Sequence, residues 1–484
     1  MQQSPGMQMD HATCYRAMRA RDARFDGRFY VGVRTTGIYC RPVCTARTPR
    51  ASSCRFFHSP AAAEQQGFRP CLICRPEIAP GHISGPTLAH ALHDRLRQSA
   101  VRGESLEALA RTCGYSSRQV RRLILDTFGV TPVQLAQTER LLFAKRLIQE
   151  TALPMIDVAQ SSGFRSLRRF NALFAARYGL SPGAIRRRTA PPRAGEGIAL
   201  RLAYRPPFAW RELLAYLGGR ATPSVEMADQ RRYARTVAIE SRTGWIEVRP
   251  GSGNSLEVLA SPVLAPCLAS VLARLRQVFD LDAEPQLIAE HLRRDQFLRP
   301  MLRRHPGLRV PGAWDPFEIA VRAILGQQVS VAGATTLAGR LARRFGKRIE
   351  TPWPELTHLS PTKEALASAS VSAIAAIGLP GKRAATIQAL AAAAVDGVFH
   401  IAPTATTQDV VERLREIPGI GDWTAHYIAM RALRFPDAFP SGDLGLRKAL
   451  RPGKLVAPGD LESAADAWRP WRAYAALHLW QSLH

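Results

Sequence analysis

Residues 34–44 read RTTGIYCRPVC and residues 67–77 read GFRPCLICRPE, so Cys40 and Cys44 form one short-spaced pair and Cys71 and Cys74 another. Two tight cysteine pairs brought together by folding supply the four soft, converging ligands that a tetrahedral zinc ion takes. The spacing by itself also allows two disulfides, or four small core residues. The remaining cysteines, Cys14, Cys54, Cys113 and Cys267, show no such pairing and read as ordinary thiols. Around the two pairs, residues 1–80 are rich in Arg, Gly and Pro with few helical periods, which suits a small α+β module stapled by one metal ion.

Beyond this module the pattern changes to helix. Residues 105–135, SLEALARTCGYSSRQVRRLILDTFGVTPVQL, are echoed by residues 154–185, PMIDVAQSSGFRSLRRFNALFAARYGLSPGAI. Each copy has a short helix, a Gly-aromatic turn (Gly114-Tyr115, Gly163-Phe164) and a basic helix closed by Gly and Ser/Thr-Pro, the plan of two helix-turn-helix units. The second helix of each offers Ser116, Ser117, Arg118, Gln119 and Arg122, or Arg165, Ser166, Arg168 and Arg169, to a major groove. A plain helical bundle with a solvated basic face is the alternative, but the basic residues cluster after each turn.

Composition bounds the partner. The chain has 484 residues and a formal net charge of +27, spread along most of its length. That length calls for several domains, and that field favours a polyanion. A membrane partner is not expected, since no run of about 18 apolar residues and no lipidation signal occurs. The first 30 residues carry Asp10, Arg16, Arg19, Arg21 and Asp22 where a signal peptide would be apolar. A cytoplasmic, nucleoid-associated protein with reduced thiols is expected, and reduced thiols suit zinc better than disulfides.

The strings FYVGVRTTGIYCRPVC and GFRPCLICRPE closely resemble the zinc-binding methyl-acceptor domain of the Ada family of adaptive-response proteins, over most of residues 12–80. The resemblance implies one Zn2+ held by Cys40, Cys44, Cys71 and Cys74, with Cys40 taking a methyl group once from a methylated DNA phosphate. Four thiolates on zinc carry formal charge −2; methylating one leaves −1 and weakens the repulsion of DNA phosphates. The helical block is similar to the AraC-type DNA-binding domain of the same family. Together they imply a methylation-triggered transcriptional activator, with promoter DNA and RNA polymerase as partners.

The family's usual second methyltransferase, with its Pro-Cys-His-Arg site, is absent from the sequence. In its place stand LREIPGIGDWTAHYIAMRAL at 414–433 and FPSGDLGLRKAL at 439–450. Gly419 and Gly421 fit a hairpin between two helices, where backbone amides approach a DNA phosphate. With FEIAVRAILGQQVSVAGA (317–334), LPGKRAATI (379–387) and WRPWRAYAALHLW (468–480), these resemble the helix-hairpin-helix 3-methyladenine DNA glycosylase II, or AlkA, type over about 200–482. The resemblance implies Asp443 as the catalytic aspartate, and Trp423, Tyr427 and Trp480 as the base pocket. It further implies Gln327 and Gln328 at the site that fills the gap left by a flipped nucleotide. Gln328 departs from the pattern, which has leucine there. Bifunctional relatives carry a lysine where this chain has Trp423, so hydrolytic excision without strand cleavage is expected, with no cofactor for the glycosylase.

The expected fold is multidomain. It comprises a zinc-bound α+β module (1–80), an all-α double helix-turn-helix domain (86–188), a linker (189–197), a β-rich α+β lobe (198–265) and an all-α helix-hairpin-helix core (266–484). A transcription regulator with structural zinc and an inactive glycosylase lobe is the alternative. So is a repair enzyme whose zinc and helical parts only anchor it to DNA.

Overall fold

The protein, obtained as a computed structural model, is described over residues 10–81, 88–189, 197–451 and 453–483. Most of the linker read from sequence, 190–196, lies outside the described residues. Chain contacts divide the molecule into two units: Met1–Pro206 with Ala265–Ser270, and Pro207–Leu264 with Val271–His484.

The first unit opens with α1 (His11–Arg19), whose first amides are capped by the Asp10 carboxylate. A four-stranded sheet follows in the order β3-β1-β2-β4, with β1 at Tyr30–Val33, β2 at Ile38–Cys40, β3 at Cys54–Phe57 and β4 at Arg69–Pro70. β1 is antiparallel to both β2 and β3, whereas β2 and β4 are parallel with Tyr39 opposite Pro70. That register sets Cys40 and Cys71 at the same end of adjacent strands, so the parallel pair assembles half of the cysteine cluster. One face buries Cys14, Met18, Phe29, Val31 and Cys54, so Cys14 and Cys54 are small core residues here. The other buries Tyr30, Tyr39, Phe57 and Phe68 together with Ala63 of α2 (Pro60–Gln65).

Seven helices complete the DNA-binding block: α3 (Leu88–Arg102), α4 (Leu106–Thr112), α5 (Ser117–Phe128), α6 (Pro132–Glu150), α7 (Met155–Ser161), α8 (Leu167–Tyr178) and α9 (Pro182–Thr189). α4–α5 and α7–α8 are the two helix-turn-helix units. Their turns place Gly114 at φ +78° and Gly163 at φ +79°. At Gly163 a Cβ would also lie 2.7 Å from the Val101 carbonyl oxygen, so nothing larger fits that turn.

The cysteine module is joined to α6 by charge as well as by apolar contact. Lys145 Nζ lies 2.7 Å from a Glu77 carboxylate oxygen, with both side chains essentially inaccessible at 0% and 1%. Arg75, directly after Cys74, reaches Glu77 at 3.1 Å and Glu150 at 2.7 Å. Burial pushes the Glu77 carboxyl up, but Lys145 and Arg75 outweigh it and hold the group below the usual carboxylate range. A charged pair this dry holds only because each partner is satisfied.

The second unit combines α10 (Trp210–Gly218) with an antiparallel meander of four strands, Glu226–Ala228, Tyr233–Ile239, Arg242–Pro250 and Ser255–Ala260. A helical core then carries the candidate site. In it α11 (Pro316–Leu325) packs against α13 (Gly381–Val395) and α15 (Asp422–Arg431), and the loop after α11 leads into α12 (Val331–Phe345). α14 (Thr407–Arg415), residues 416–421 and α15 make the helix-hairpin-helix, and α16 (Leu444–Leu450) packs against α17 (Arg472–Gln481).

Candidate functional site

Cys40 ends β2, Cys44 follows one turn later, Cys71 follows β4, and Cys74 closes the next turn. Their four sulfurs lie within 4.8 Å of one another. That clustering and donor set fit one tetrahedral metal ion, for which zinc–thiolate bonds of about 2.3 Å put sulfurs nearly 4 Å apart. Cys71 is buried, while Cys40, Cys44 and Cys74 are partly exposed. Hydrogen bonding with Cys40 and Cys74 lowers the Cys44 thiol from its ordinary value. The Arg41 backbone N–H donates to Cys74 Sγ at 3.3 Å, and the Arg41 side chain donates to the Cys74 carbonyl at 3.1 Å. Arg41 is in turn clamped by buried Asp26, with Nε donating at 2.8 Å. Sequence reasoning missed this clamp, because Asp26 lies outside both cysteine strings.

On the two helix-turn-helix units, Arg118 and Arg122 of α5, and Arg165, Arg168 and Arg169 around the start of α8, are exposed. Ser116, Gln119 and Ser166 have local work instead. Ser116 and Gln119 form a reciprocal capping box at the start of α5, and Ser166 caps α8 through the Arg169 amide. Those side chains position the helices, and the arginines remain as the groups turned to solvent.

In the second unit the sequence-distant residues Trp423, Tyr427, Asp443 and Trp480 converge. Asp443 caps α16 by accepting from the Leu446 amide at 3.0 Å. Trp423 Nε1 donates to Asp443 Oδ2 at 3.0 Å, and Trp480 Nε1 donates to Oδ1 at 2.9 Å. Trp423 stacks on Tyr427 at 5.4 Å and 19°, and Trp480 is tilted against Tyr427 at 6.4 Å. Both tryptophans thus spend their polar edges on the carboxylate, and the Trp423 ring lays one face against Tyr427.

Behind Tyr427 is a polar group that the motifs did not reveal. Buried Arg431 donates to the hydroxyls of Tyr427 at 2.9 Å and of Tyr216 at 2.5 Å, and Arg220 covers the Tyr216 ring at 3.8 Å. Burial raises the Tyr427 phenol, but Arg431, Arg220 and Arg322 more than reverse this and leave it below its ordinary value. Arg431 lies one helical turn beyond Tyr427 on α15, so periodicity could have found it. Tyr216 belongs to α10, far upstream, and no spacing signals it.

The hairpin apex is Gly419, at φ +86°, where a Cβ would fall 2.0 Å from Thr386 Oγ1. Gly421 precedes α15 in an extended conformation and is exposed. Gln327 donates its side-chain amide to the Gly419 carbonyl at 3.2 Å and to Thr424 Oγ1 at 3.0 Å. Gln328, by contrast, is exposed and has φ +55°. The two glutamines, treated alike in sequence, have different surroundings.

Four family models match the chain in turn. They are the metal binding domain of Ada over residues 13–77, a helix-turn-helix domain over 109–188, the AlkA N-terminal domain over 199–315, and the HhH-GPD superfamily base excision DNA repair protein over 321–473. Over 489 residues the chain is 38% identical to the probable bifunctional transcriptional activator/DNA repair enzyme AlkA of Mycobacterium tuberculosis, covering 99% of this chain and 97% of that one. It is 37% identical over 280 residues to DNA-3-methyladenine glycosylase 2 of Escherichia coli, covering 58% of this chain and 95% of that one. Among solved structures, the 3-methyladenine DNA-glycosylase from Archaeoglobus fulgidus is similar in fold, with a TM-score of 0.51 at 22% identity over 58% of this chain and 97% of that chain. No helix among the described residues is long and apolar enough to cross a membrane. Because the likeness to the mycobacterial protein runs from end to end and is not confined to one module, the chain belongs to the family of Ada/AlkA fusion proteins of the alkylation-damage response.

Proposed function

We propose that the chain couples three activities on double-stranded DNA. Residues 1–80 accept a methyl group from a DNA methylphosphotriester, and residues 86–188 bind a promoter and recruit RNA polymerase once that methyl is in place. Residues 198–265 and 266–484 excise alkylated bases of the 3-methyladenine class. The observation that carries the excision reading is the carboxylate of Asp443 fixed from both sides by the indole N–H groups of Trp423 and Trp480.

A base alkylated at N3 or N7 is cationic, and its glycosidic bond is weakened before any protein group acts. The Trp423–Tyr427 surface and Trp480 hold the flipped cation by its π-faces. As the C1′–N bond breaks, its electron pair goes to the base, which leaves neutral. Asp443 stabilises the positive charge that develops on the sugar. Water then bonds to C1′ and gives up a proton, leaving an abasic site. Trp423 stands where bifunctional relatives carry a Schiff-base lysine, so strand cleavage is not part of this chemistry. Gly419 and Gly421 approach the DNA backbone, and Gln328 fills the vacated gap. Arg118, Arg122, Arg168 and Arg169 meet promoter DNA, with phosphate contacts supplying affinity.

Zn2+ held by Cys40, Cys44, Cys71 and Cys74 would keep their sulfurs as thiolates at neutral pH. Cys40 Sγ bonds the methyl carbon while the carbon–oxygen bond breaks, and the phosphodiester leaves as an anion. The sulfur environments support Cys40 as acceptor. Cys71 is buried and Cys74 receives the Arg41 amide, which sets both apart from Cys40. An N–H donor draws charge from a thiolate and blunts it as a nucleophile. Intact mass measurement after exposure to methylated DNA tests this half: one added methyl on the peptide carrying Cys40 is expected, and a methyl on another cysteine, or none, sinks the assignment.

A further inference from the structure

We propose that Gln327 is a positioning residue of the excision site, a latch that fastens the wedge loop to the DNA-binding hairpin so that Gln328 enters the duplex in fixed register with the base pocket. This rests on the reading of Gln328 as the wedge given above. Gln328 is exposed and holds φ +55°, a left-handed conformation that is unfavourable for a residue with a Cβ. Such a conformation persists only where the surroundings over-determine it. Gln327 supplies the constraint on both of its ends. Its side-chain amide crosses to the Gly419 carbonyl and Thr424 Oγ1 at 3.2 and 3.0 Å, and its own carbonyl accepts from Arg383 of α13 at 3.1 Å.

The same helix braces the hairpin. Thr386, one turn from Arg383 on α13, fills the space beside Gly419 that a Cβ would need. Thr424 follows Trp423 directly, so the latch ends one residue from the pocket wall. Wedge loop, hairpin apex and the first turn of the helix that carries Trp423 thereby share one set of hydrogen bonds. A wedge is useful only if it does not recoil while the base is in the pocket, and small displacements of such groups cost rate steeply.

The test is a double-mutant cycle in the full-length protein on a duplex with one 7-methylguanine beside 2-aminopurine. It reads single-turnover excision, the fluorescence rise on unstacking, and affinity for undamaged duplex. Gln327→Glu keeps the side-chain length and removes the donor. Gln327→Glu and Gln328→Ala should each lower the excision rate and the unstacking signal about tenfold or more. The double variant should fall no further than the weaker single, within about twofold, with duplex affinity measured for each variant so that excision is compared at saturating protein. Thr424→Val, which removes one acceptor and leaves Gln327 in place, should lose part of the same signal. The latch is overturned if the two losses multiply, or if Gln327→Glu unstacks the duplex as well as the parent. A Gln328→Ala protein that unstacks and excises normally overturns the wedge reading itself, and the latch with it.

Discussion

Trp480 donates its indole N–H to Asp443 Oδ1 at 2.9 Å, across 37 residues of chain. The indole ring and the carboxylate are therefore one construction, since turning the ring would release the acid. Trp480→Phe keeps an aromatic face and removes the donor. It should lower the single-turnover excision rate by about 10- to 100-fold, the scale of a small misplacement of a reacting group. Affinity for damaged duplex should hold. Measuring rate and affinity separately checks this, and a loss confined to affinity would make Trp480 a wall only.

Asp443→Asn removes the charge and keeps the helix cap, while its amide NH2 replaces the oxygen that accepts from Trp423. Asparagine is as good a helix N-cap as aspartate, so the Leu446 amide keeps an acceptor, while the negative charge is lost. Excision should fall at least about 100-fold, as for other groups aimed at transition-state charge, with a loss of stability no larger than that of one indole hydrogen bond, about 1–3 kcal/mol. Asp443→Ala should lose the same activity and in addition about 1 kcal/mol with the cap. Full base release by the asparagine variant would remove Asp443 from the mechanism.

The reach of sequence over this site follows from how its parts are spaced. Cys40, Cys44, Cys71 and Cys74 were legible because metal ligation imposes short spacings, and the hairpin because Gly419 and Gly421 bracket a turn. Trp423 and Tyr427 lie one helical turn apart on the helix that the hairpin starts. Tyr216 and Arg220 were not legible, because they come from a lobe that meets α15 only in three dimensions. α6 was silent for another reason. Nothing in its pattern marks Lys145, Arg146, Gln149 and Glu150 as interior, yet all four are buried. Composition cannot tell a wet charge from a paired dry one. Gln327 and Gln328 had the same residue type and adjacent positions, and only backbone conformation and partners distinguish them.

The Lys145–Glu77 pair gives a direct measure of the joint between the cysteine module and the DNA-binding helices. Lys145→Met removes one partner and leaves a buried carboxylate with Arg75 alone, which should cost about 3–5 kcal/mol. Adding Glu77→Gln removes the stranded charge and should recover about half of that or more. All eight tryptophans lie in the second unit, from Trp210 onward. Urea unfolding by far-UV circular dichroism, compared with tryptophan fluorescence, therefore isolates the first unit's transition. Equal stability of Lys145→Met and the parent would show that the pair contributes nothing.

Glu64 of α2 predicts a pH dependence with a definite sign. It is 4% exposed, accepts from Tyr39 at 3.1 Å and Thr138 at 2.9 Å, and faces Arg177 at 3.5 Å with Glu139 nearby. Burial pushes its carboxyl up to about 7 from an ordinary value of 4.5, against the pull of Thr138, Arg177 and Tyr39. Between those two values the folded state retains a proton that the unfolded chain has released. Its contribution is whole below pH 4.5, falls as pH rises to about 7, and is flat above that. The total is roughly 3 kcal/mol, because each tenfold difference in proton affinity between the folded and unfolded chain is worth about 1.4 kcal/mol. Glu64→Gln imitates the protonated acid and should erase that slope, leaving the variant more stable than the parent at pH 8 and converging on it as pH falls toward and below 4.5. Both zinc-loaded proteins share the pH response of the cysteines, so it cancels in the difference, and a difference independent of pH would refute the assignment to Glu64.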